Sequence, residues 1–403
     1  MNVTTEAFLT LLRAGIGLPS PTPVPELTPA QWRELLELAR AHKVLPLISD
    51  AAFPLLQCSD PALAAALRRQ VRDQVIGQTL RTGEFLALYR ALEAAGATPL
   101  VVKGITCRSL YPKPDHRPSA DEDLLIPPEQ TALCHRVLTE LGMTAGEPEP
   151  ESAWEIPYRR SGSPLYIELH KHLFAPGFGT DREFNRFFPD PFRSAVIQPC
   201  QGAALRTLDP GSHMTYLLFH AFKHFLHSGF GIRQVCDILL FARCHDGAID
   251  WSRVRESCRS IRAEKFAAAI FAIGARHLGF EPLGPWDTAA ADEEPLLEDV
   301  LRAGVYGSAD RSRLHSSTIT LQAASAQKSP HKGILTAAFP PAKQLEVRYP
   351  WLKKQPYLVP IAWADRMTAY LRETRTRSDS SLADALKIGT ERLELLRRYE
   401  ILK

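Results

Sequence analysis

The chain has 403 residues, more than one ordinary hydrophobic core organises, so two or three domains are predicted. Hydrophobic residues make up 45% and charged residues 23% of the chain, which is typical of a soluble globular protein. The formal net charge of +3 gives no basis for general nucleic-acid binding.

Membrane and disulfide-rich classes are not indicated either. The longest apolar stretch, residues 266–275, is far shorter than the roughly 20 residues of a membrane span, so no span is predicted. The N-terminus lacks the basic-then-apolar pattern of a signal peptide. The seven cysteines are odd in number and include no C-x-x-C pair, which favours reduced thiols over a disulfide framework. These features predict a cytoplasmic protein.

The first predicted region, residues 1–95, is helical. Thr28 and Gln31 form a capping-box pattern with Pro29 at the first helical position, which predicts the start of a helix. The helices predicted in this region cover residues 31–43, 60–75 and 79–95.

A small α/β core is predicted next, over residues 96–205, because short apolar β-branched runs alternate with helical patterns there. The Ser161-Gly162-Ser163 segment predicts the turn of a hairpin. The predicted elements are a strand at 98–102, a helix at 105–110, a loop at 111–120, a strand at 121–126, a helix at 127–142, and hairpin strands at 154–160 and 164–173.

The rest of the chain is predicted to be mainly helical. A helical domain is expected at 206–307, a flexible Ser- and Ala-rich linker at 308–335 and a C-terminal helical segment at 336–403. One helical face of the domain carries four histidines, for which a polar wall of a cleft is preferred over a zinc site: His213, His220, His224 and His227.

Acidic residues in the core carry the chemistry. Asp121 and Asp123 lie at positions i and i+2 of a predicted strand and so point to the same face, where they repel unless a cation or a proton is shared. A divalent metal that carries a substrate phosphate is the commonest functional answer. Glu168 alternates with apolar neighbours on another strand, and would bring a third carboxylate if the two strands are adjacent. Lys103 and Gly104, at the end of the first strand, predict a turn that approaches phosphates closely.

This arrangement resembles the nucleotidyltransferase superfamily of the DNA polymerase β type, whose signature is a strand ending in a glycine turn, an acid-x-acid strand and a third acid on a later strand. More narrowly, it is similar to an uncharacterised family of bacterial nucleotidyltransferase-like proteins. The residues that carry the narrower resemblance are Lys103, Gly104, Tyr111, Pro112, Arg117, Asp121, Glu122, Asp123, Glu168, Leu169 and His170, followed by His220, His224, Arg233 and Asp237 and by a stretch rich in proline, arginine and tyrosine between residues 339 and 366.

The resemblance implies an α+β fold, with a small mixed-sheet nucleotidyltransferase core flanked by N-terminal and C-terminal helical regions. It implies transfer of a nucleoside monophosphate from an NTP, with ATP as first choice, to an unidentified small-molecule, sugar or peptide acceptor in a polysaccharide or natural-product pathway. Mg²⁺ is the expected metal, with Mn²⁺ as the alternative. The expected catalytic and metal-binding residues are Asp121, Asp123 and Glu168, and the expected nucleotide-binding residues are Lys103, Gly104, Thr106, Arg117 and His170.

Alternatives remain open at the level of the sequence. The superfamily usually has serine after the glycine, but here Ile105 follows, so Thr106 or Lys103 must replace the serine or phosphate binding is weaker. An ordinary surface role for Arg117 and a structural role for His170 stand beside the functional ones. Arg233 and Asp237 are predicted to form a helix-stabilising pair four residues apart. The rival function is a catalytically inactive protein of the same fold that binds partners or serves as a scaffold in a biosynthetic assembly.

Overall fold

The computed structural model describes residues 1–20, 22–146, 154–175, 184–227, 229–304, 345, 349–353, 355–363, 365 and 382–402. The chain forms two compact units. The first consists of Met1–Ala221 with Ile232–Leu297, and the second of Phe222–Gly231 with Glu298–Lys403. The mixed α+β class predicted from the sequence is confirmed.

The N-terminal helices are α1 (Val3–Gly15), α2 (Pro29–Ala41), α3 (Leu45–Ser59) and α4 (Pro61–Ala94). The predicted capping box is confirmed: Thr28 accepts from the Gln31 amide at 3.3 Å, and the Gln31 side chain accepts from the Thr28 amide at 2.9 Å.

The prediction of two helices over residues 60–95 is wrong, because α4 runs through the predicted break without interruption. Gly77 lies at that break and costs about 1 kcal/mol relative to alanine in a helix interior. Buried side chains on both sides of it, such as Val71 and Phe85, pack against the rest of the first unit and outweigh this local cost.

The sheet has five strands in the spatial order β1-β2-β5-β4-β3. Only β2 and β5 run parallel among these neighbours, so the sheet is mixed, as predicted. The predicted hairpin is confirmed as the antiparallel pair of β4 and β5. The strands are β1 (Leu100–Val101), β2 (Glu122–Leu125), β3 (Thr144–Ala145), β4 (Glu155–Arg159) and β5 (Tyr166–His170), with the helices α5 (Ile105–Arg108) and α6 (Thr131–Glu140) between them.

One face of this sheet belongs to the hydrophobic core. Leu124, Ile167 and Leu169 point into it and meet apolar side chains of α4 and α6, including Tyr89 and Leu138. A second hairpin, β6 (Val196–Cys200) with β7 (Ala203–Thr207), adds Cys200 and Leu205 to the same core and was not predicted. The opposite face of the central strands carries Asp123, Glu168 and His170 together with the buried Leu125.

The helices that follow are α7 (Pro210–Leu226), α8 (Ile232–His245), α9 (Trp251–Ser260), α10 (Glu264–Ile273), which continues as a π-helical turn over Gly274–Leu278, then α11 (Glu294–Ala303) and α12 (Leu382–Arg398). The predicted linker at 308–335 lies outside the described residues, and the predicted domain boundaries stay predictions. Every helix in the described part of the chain falls short of the length or the apolar character that crossing a bilayer requires.

A buried ion pair fixes the start of β2. Arg108 donates to Glu122 at 2.7 Å, and both side chains are fully buried. The same carboxylate accepts from the Ser119 hydroxyl at 3.1 Å and from the Ile105 amide at 2.8 Å. Glu122 is thus directed away from its neighbour Asp123 and joins α5, the loop before β2 and β2 itself.

Replacement of Glu122 by glutamine tests this role. Glu122→Gln leaves the Arg108 guanidinium buried without its counter-charge, so the free energy of unfolding should fall by about 3–5 kcal/mol in urea denaturation. Asp73→Asn is the matched control, because Asp73 forms an exposed pair with Arg72 and its loss should cost less than about 1 kcal/mol. Equal effects of the two substitutions would contradict the assignment.

Candidate functional site

Three polar side chains converge on the face of the sheet that the core does not use. The parallel register pairs Asp123 of β2 with Glu168 of β5, and His170 follows Glu168 on the same face. His170 Nε2 lies 3.0 Å from Asp123 Oδ1 and 3.6 Å from Glu168 Oε2. The ligand atoms of the three residues all lie within 4.8 Å of one another, close enough to hold one metal ion.

Asp121, the other predicted metal ligand, is not part of this group. It precedes β2, which begins at Glu122. Its negative charge acts instead on two cations of the N-terminal helical region, Lys43 and Arg81. The structure therefore brings together two of the three predicted carboxylates, Asp123 and Glu168, with His170 as the third member of the cluster.

Lys103 approaches the cluster from the end of β1. Its Nζ lies 3.1 Å from Asp123 Oδ1 and 3.4 Å from Nε2 of His220, which α7 contributes. Asp123 Oδ1 thus meets a lysine ammonium and an imidazole together. The sequence predicted a phosphate-binding role for Lys103; the structure places its ammonium against Asp123, and its role in nucleotide binding stays a prediction.

Opposing influences set the charge of the cluster. Burial alone would raise the pKa of Asp123, but the Lys103 ammonium and the His170 imidazole hold it far below its usual range. Burial alone would lower the pKa of His170, but its hydrogen bonds to Asp123 and Glu168 raise it to about 9. With this raised pKa, His170 is protonated and donates to the carboxylates, so Asp123 and Glu168, not the imidazole, are the candidate metal ligands.

One buried oxygen of the cluster is suited to accept a ligand. Within the described part of the chain, Asp123 Oδ2 is buried and has no hydrogen-bond partner. Buried carboxylate oxygens are normally satisfied, so such an atom calls for an unseen partner such as water or a cation. Two carboxylates at one position form the oxygen donor set that suits Mg²⁺ or Mn²⁺. The residues present therefore fit a divalent cation.

Glu155 and Trp154 also border the site and were missed from the sequence. Glu155 Oε2 lies 3.7 Å from His170 Nδ1, and the Trp154 and His170 rings are 5.2 Å apart. Burial, then the nearby Glu168 charge, raises the pKa of Glu155. The predicted hairpin, centred on Gly162, places residue 155 opposite 169, one position away from the observed pairing of Glu155 with His170, so it did not indicate this contact.

The Gly104 turn is occupied by a side chain of the protein. Gly104 has φ +64° and ψ −111°, and a Cβ there would lie 2.0 Å from Glu122 Oε2. The Glu122 carboxylate accepts a hydrogen bond from the Ile105 amide, and the buried Thr106 hydroxyl donates to the Lys103 carbonyl at 3.2 Å. The close approach predicted for a phosphate is thus made by Glu122, and this geometry does not favour Gly104 and Thr106 as phosphate ligands.

Arg117 is neither on the surface nor in the acidic cluster. It is buried, and its Nε and Nη2 donate to the two carboxylate oxygens of Asp237 at 3.0 and 2.5 Å. Tyr111 donates to the same carboxylate at 2.8 Å. The helix pair predicted between Arg233 and Asp237 is therefore replaced by a pair between Asp237 and Arg117, which holds the loop before β2 against α8. The predicted contact of Arg117 with nucleotide has no support in this geometry.

His213 positions the strand end that carries Lys103. His213 Nε2 lies 2.7 Å from the carbonyl oxygen of Val102, and Thr207 donates to the Val101 carbonyl at 2.6 Å. Burial lowers the pKa of His213 to about 4, so the imidazole is neutral and Nε2 donates. The sequence placed His213 on a polar face; the structure gives it a buried structural contact.

Comparison with families of known proteins gives a match over most of the chain. A family model described as an uncharacterised nucleotidyltransferase matches residues 28–279, which is more than half of the chain and includes every residue of the cluster. No curated protein and no solved structure matches significantly.

The shifted pKa of His213 predicts a pH-dependent stability. Its folded-state pKa of about 4 lies below the unfolded value of about 6.5, so on acidification the unfolded chain takes up this proton first. The stabilisation by neutral His213 is fully present above pH 6.5 and is lost as the pH falls towards 4. The free energy of unfolding falls by about 3 kcal/mol in total over this range. Urea denaturation at pH 7.5 and 4.5 measures it against His213→Gln, which should lose less stability on acidification. An identical loss in both proteins would contradict the assignment.

Proposed function

The chain belongs to the family of uncharacterised nucleotidyltransferases, and on that premise we propose that it is an enzyme that transfers a nucleoside monophosphate from an NTP to an acceptor. The observation that carries this proposal is the convergence of Asp123, Glu168 and His170 on one face of a mixed sheet. We further propose membership of the DNA polymerase β-type superfamily, which two acids on adjacent strands beyond a glycine turn support.

Asp123 and Glu168 would hold the divalent cation, Mg²⁺ by choice and Mn²⁺ as the alternative. When bound, such a cation screens phosphate charge and orients the nucleotide. His170 supports the site by its hydrogen bond to Asp123, which fixes the direction of that carboxylate. Lys103 brings a positive charge to the same carboxylate and so limits repulsion between the acids.

In the proposed reaction, an acceptor hydroxyl oxygen attacks the α-phosphorus of the NTP. A bond forms between this oxygen and phosphorus, and the bond from the α-phosphorus to the bridging oxygen of the β-phosphate breaks. Pyrophosphate leaves with the electron pair. Glu168, about one-fifth exposed and adjacent to the buried Asp123, would receive the hydroxyl proton.

The donor, the acceptor and the pathway are proposed from the family resemblance. They are ATP as donor, a small-molecule, sugar or peptide acceptor and a polysaccharide or natural-product pathway. A cytoplasmic location is supported by the cysteines, all seven of which are free thiols.

A scaffold function is the second candidate, and a specific observation favours it. Lys103 and His170 already offset the charge of Asp123 without a metal, and Glu122 fills the Gly104 turn. A protein that kept the fold but lost catalysis would be stable with these contacts alone. The two candidates differ in whether metal and nucleotide bind.

Metal binding separates the candidates. Wild-type protein should bind Mn²⁺, which is measured by the electron paramagnetic resonance signal of the free ion. Its Tm should also rise when Mg²⁺ and an NTP are added. At a free ligand concentration 100 times the Kd, binding stabilises the folded protein by about 2.7 kcal/mol. Asp123→Asn should weaken Mn²⁺ binding by at least about tenfold because it removes one carboxylate of the pair. Asp121→Asn is the matched control and should bind Mn²⁺ like the wild type, since Asp121 lies outside the cluster.

Two results would count against this proposal. If the wild type shows neither Mn²⁺ binding nor a Tm rise with any nucleotide, the scaffold function is favoured. If Asp121→Asn loses Mn²⁺ and Asp123→Asn keeps it, the metal is held by a different set of residues.

A further inference from the structure

The helix α4 carries an exposed apolar surface on the side that faces away from the core. Ile76 and Leu80, one turn apart, are 52% and 57% exposed. Buried side chains of the same helix, including Gln78, Thr82 and Phe85, lie on the opposite side. Residues three and four positions apart share one face of a helix, so this surface continues in both directions. We call the set the α4 seam, and its members, all exposed, are Arg69, Asp73, Ile76, Leu80, Gly83, Ala87, Arg90 and Ala94.

The α4 seam has the spacing found where two helices pack along each other. Its successive members are separated by four and three residues in strict alternation. This average period of 3.5 residues keeps one face of a helix turned towards a helical partner over several turns. At a rise of about 1.5 Å per residue, the seam is about 38 Å long. α4 therefore presents the surface of a long helix–helix contact.

Gly83, near the middle of the α4 seam, is suited to a close approach by a second helix. Glycine is one of the least favourable residues in a helix interior. A Cβ at Gly83 would meet no atom within 4 Å among the described residues, so packing within the chain does not require a glycine there. On the surface of a helix, the missing side chain leaves a hole into which a large side chain of a partner can fit.

A second, antiparallel copy of α4 fits the seam position by position. In an antiparallel pair related by a two-fold axis, the numbers of facing residues have a constant sum. A sum of 163 places Leu80 opposite Gly83 of the second copy and Ile76 opposite Ala87 of the second copy. Each large side chain then faces a small one, and by symmetry each of these contacts occurs twice.

The charges towards the ends of the seam select the antiparallel arrangement. The sum of 163 also places Asp73 opposite Arg90 of the second copy. A parallel pair would place each of these two residues opposite its own copy, and would leave Gly83 opposite Gly83. Like charges that face each other are unfavourable, whereas exposed ion pairs contribute little affinity. The charges therefore set the direction of the pair, and Ile76 and Leu80 supply the apolar contact.

We propose that two copies of this chain associate through antiparallel α4 helices, around a two-fold axis near residues 81 and 82. A second copy is the partner that the seam fits, because the seam is complementary to itself in both side-chain size and charge. This inference goes beyond the proposed function and does not depend on it. Asp123, Glu168 and His170 lie on the sheet, outside α4.

Sedimentation equilibrium of the full chain measures the association. Wild-type protein should form a dimer, and Leu80→Glu should raise the Kd of the dimer by at least about tenfold, because two apolar contacts at the centre of the seam are replaced by carboxylates. Ile197→Glu is the matched control: Ile197, on β6, is also 57% exposed, and this change should leave the Kd within about twofold. The Tm of each protein checks that it is folded.

Disulfide cross-linking tests the alignment of the two helices. Ile76→Cys and Ala87→Cys are made in separate proteins that also carry Cys58→Ser and Cys244→Ser, which remove the two exposed thiols. The two proteins should form a disulfide-linked dimer when they are mixed and oxidised. Neither should do so alone, because the two copies of either position would be offset by 11 residues, about 16 Å, along the antiparallel helices.

Four results would overturn the proposal. The first is a wild-type protein that stays monomeric at about 100 μM, far above the Kd of an ordinary specific complex. The second and third are Leu80→Glu that associates as the wild type does, and Ile197→Glu that loses as much affinity. The fourth is cross-linking of either cysteine variant with itself but not in the mixture. Failure of the proposed transfer would leave all these measurements unchanged.

Discussion

The parallel pairing of β2 with β5 is the constraint on which the site depends. Its register places Asp123 opposite Glu168 and brings His170 to the same face. Because side chains alternate along a strand, the same register sends Leu124, Ile167 and Leu169 into the core. A shift of the β2–β5 register by one residue would turn the carboxylates towards the core. The burial of the apolar residues and the placement of the acids therefore require the same register.

Buried ion pairs hold the loop before β2 in place. Its proline-rich sequence forms little regular structure, yet Arg117 ties it to α8 through Asp237 and Arg108 ties its end to Glu122. Both pairs are buried, and removal of either partner would leave an unpaired charge in the interior. The loop reaches β2 in a fixed conformation, which an electrostatic site needs if its groups are to be oriented before a ligand arrives.

The sequence predicted what local patterns determine. Alternation of apolar and polar residues in β5 and the Ser161–Ser163 turn signal were sufficient to predict the β4–β5 hairpin, while the adjacency of β2 and β5 was left open by the sequence. Contacts between segments far apart in the sequence could not be predicted from these local patterns. Arg117 and Asp237 are 120 residues apart, so the sequence offered Asp237 only its helical neighbour Arg233 as a partner.

Two local predictions failed because tertiary packing and strand boundaries decided the outcome. Packing on both sides of Gly77 overrides its low helix propensity and keeps α4 continuous. The strand predicted at 121–126 spans Glu122–Leu125, and Asp121 is not a member of the cluster. Strand ends are the least predictable part of a strand because hydrogen bonding to a distant neighbour, not local sequence, sets them.

Glu122 and Asp123 are adjacent acids with different roles, one structural and one in the candidate metal site. One is sealed in the interior and offsets an arginine, and the other lies beside the candidate metal position. A screen that records only lost activity would score both positions alike, as indispensable. Quantifying intact folded protein beside turnover would separate an acid required for the architecture from one required for the chemistry.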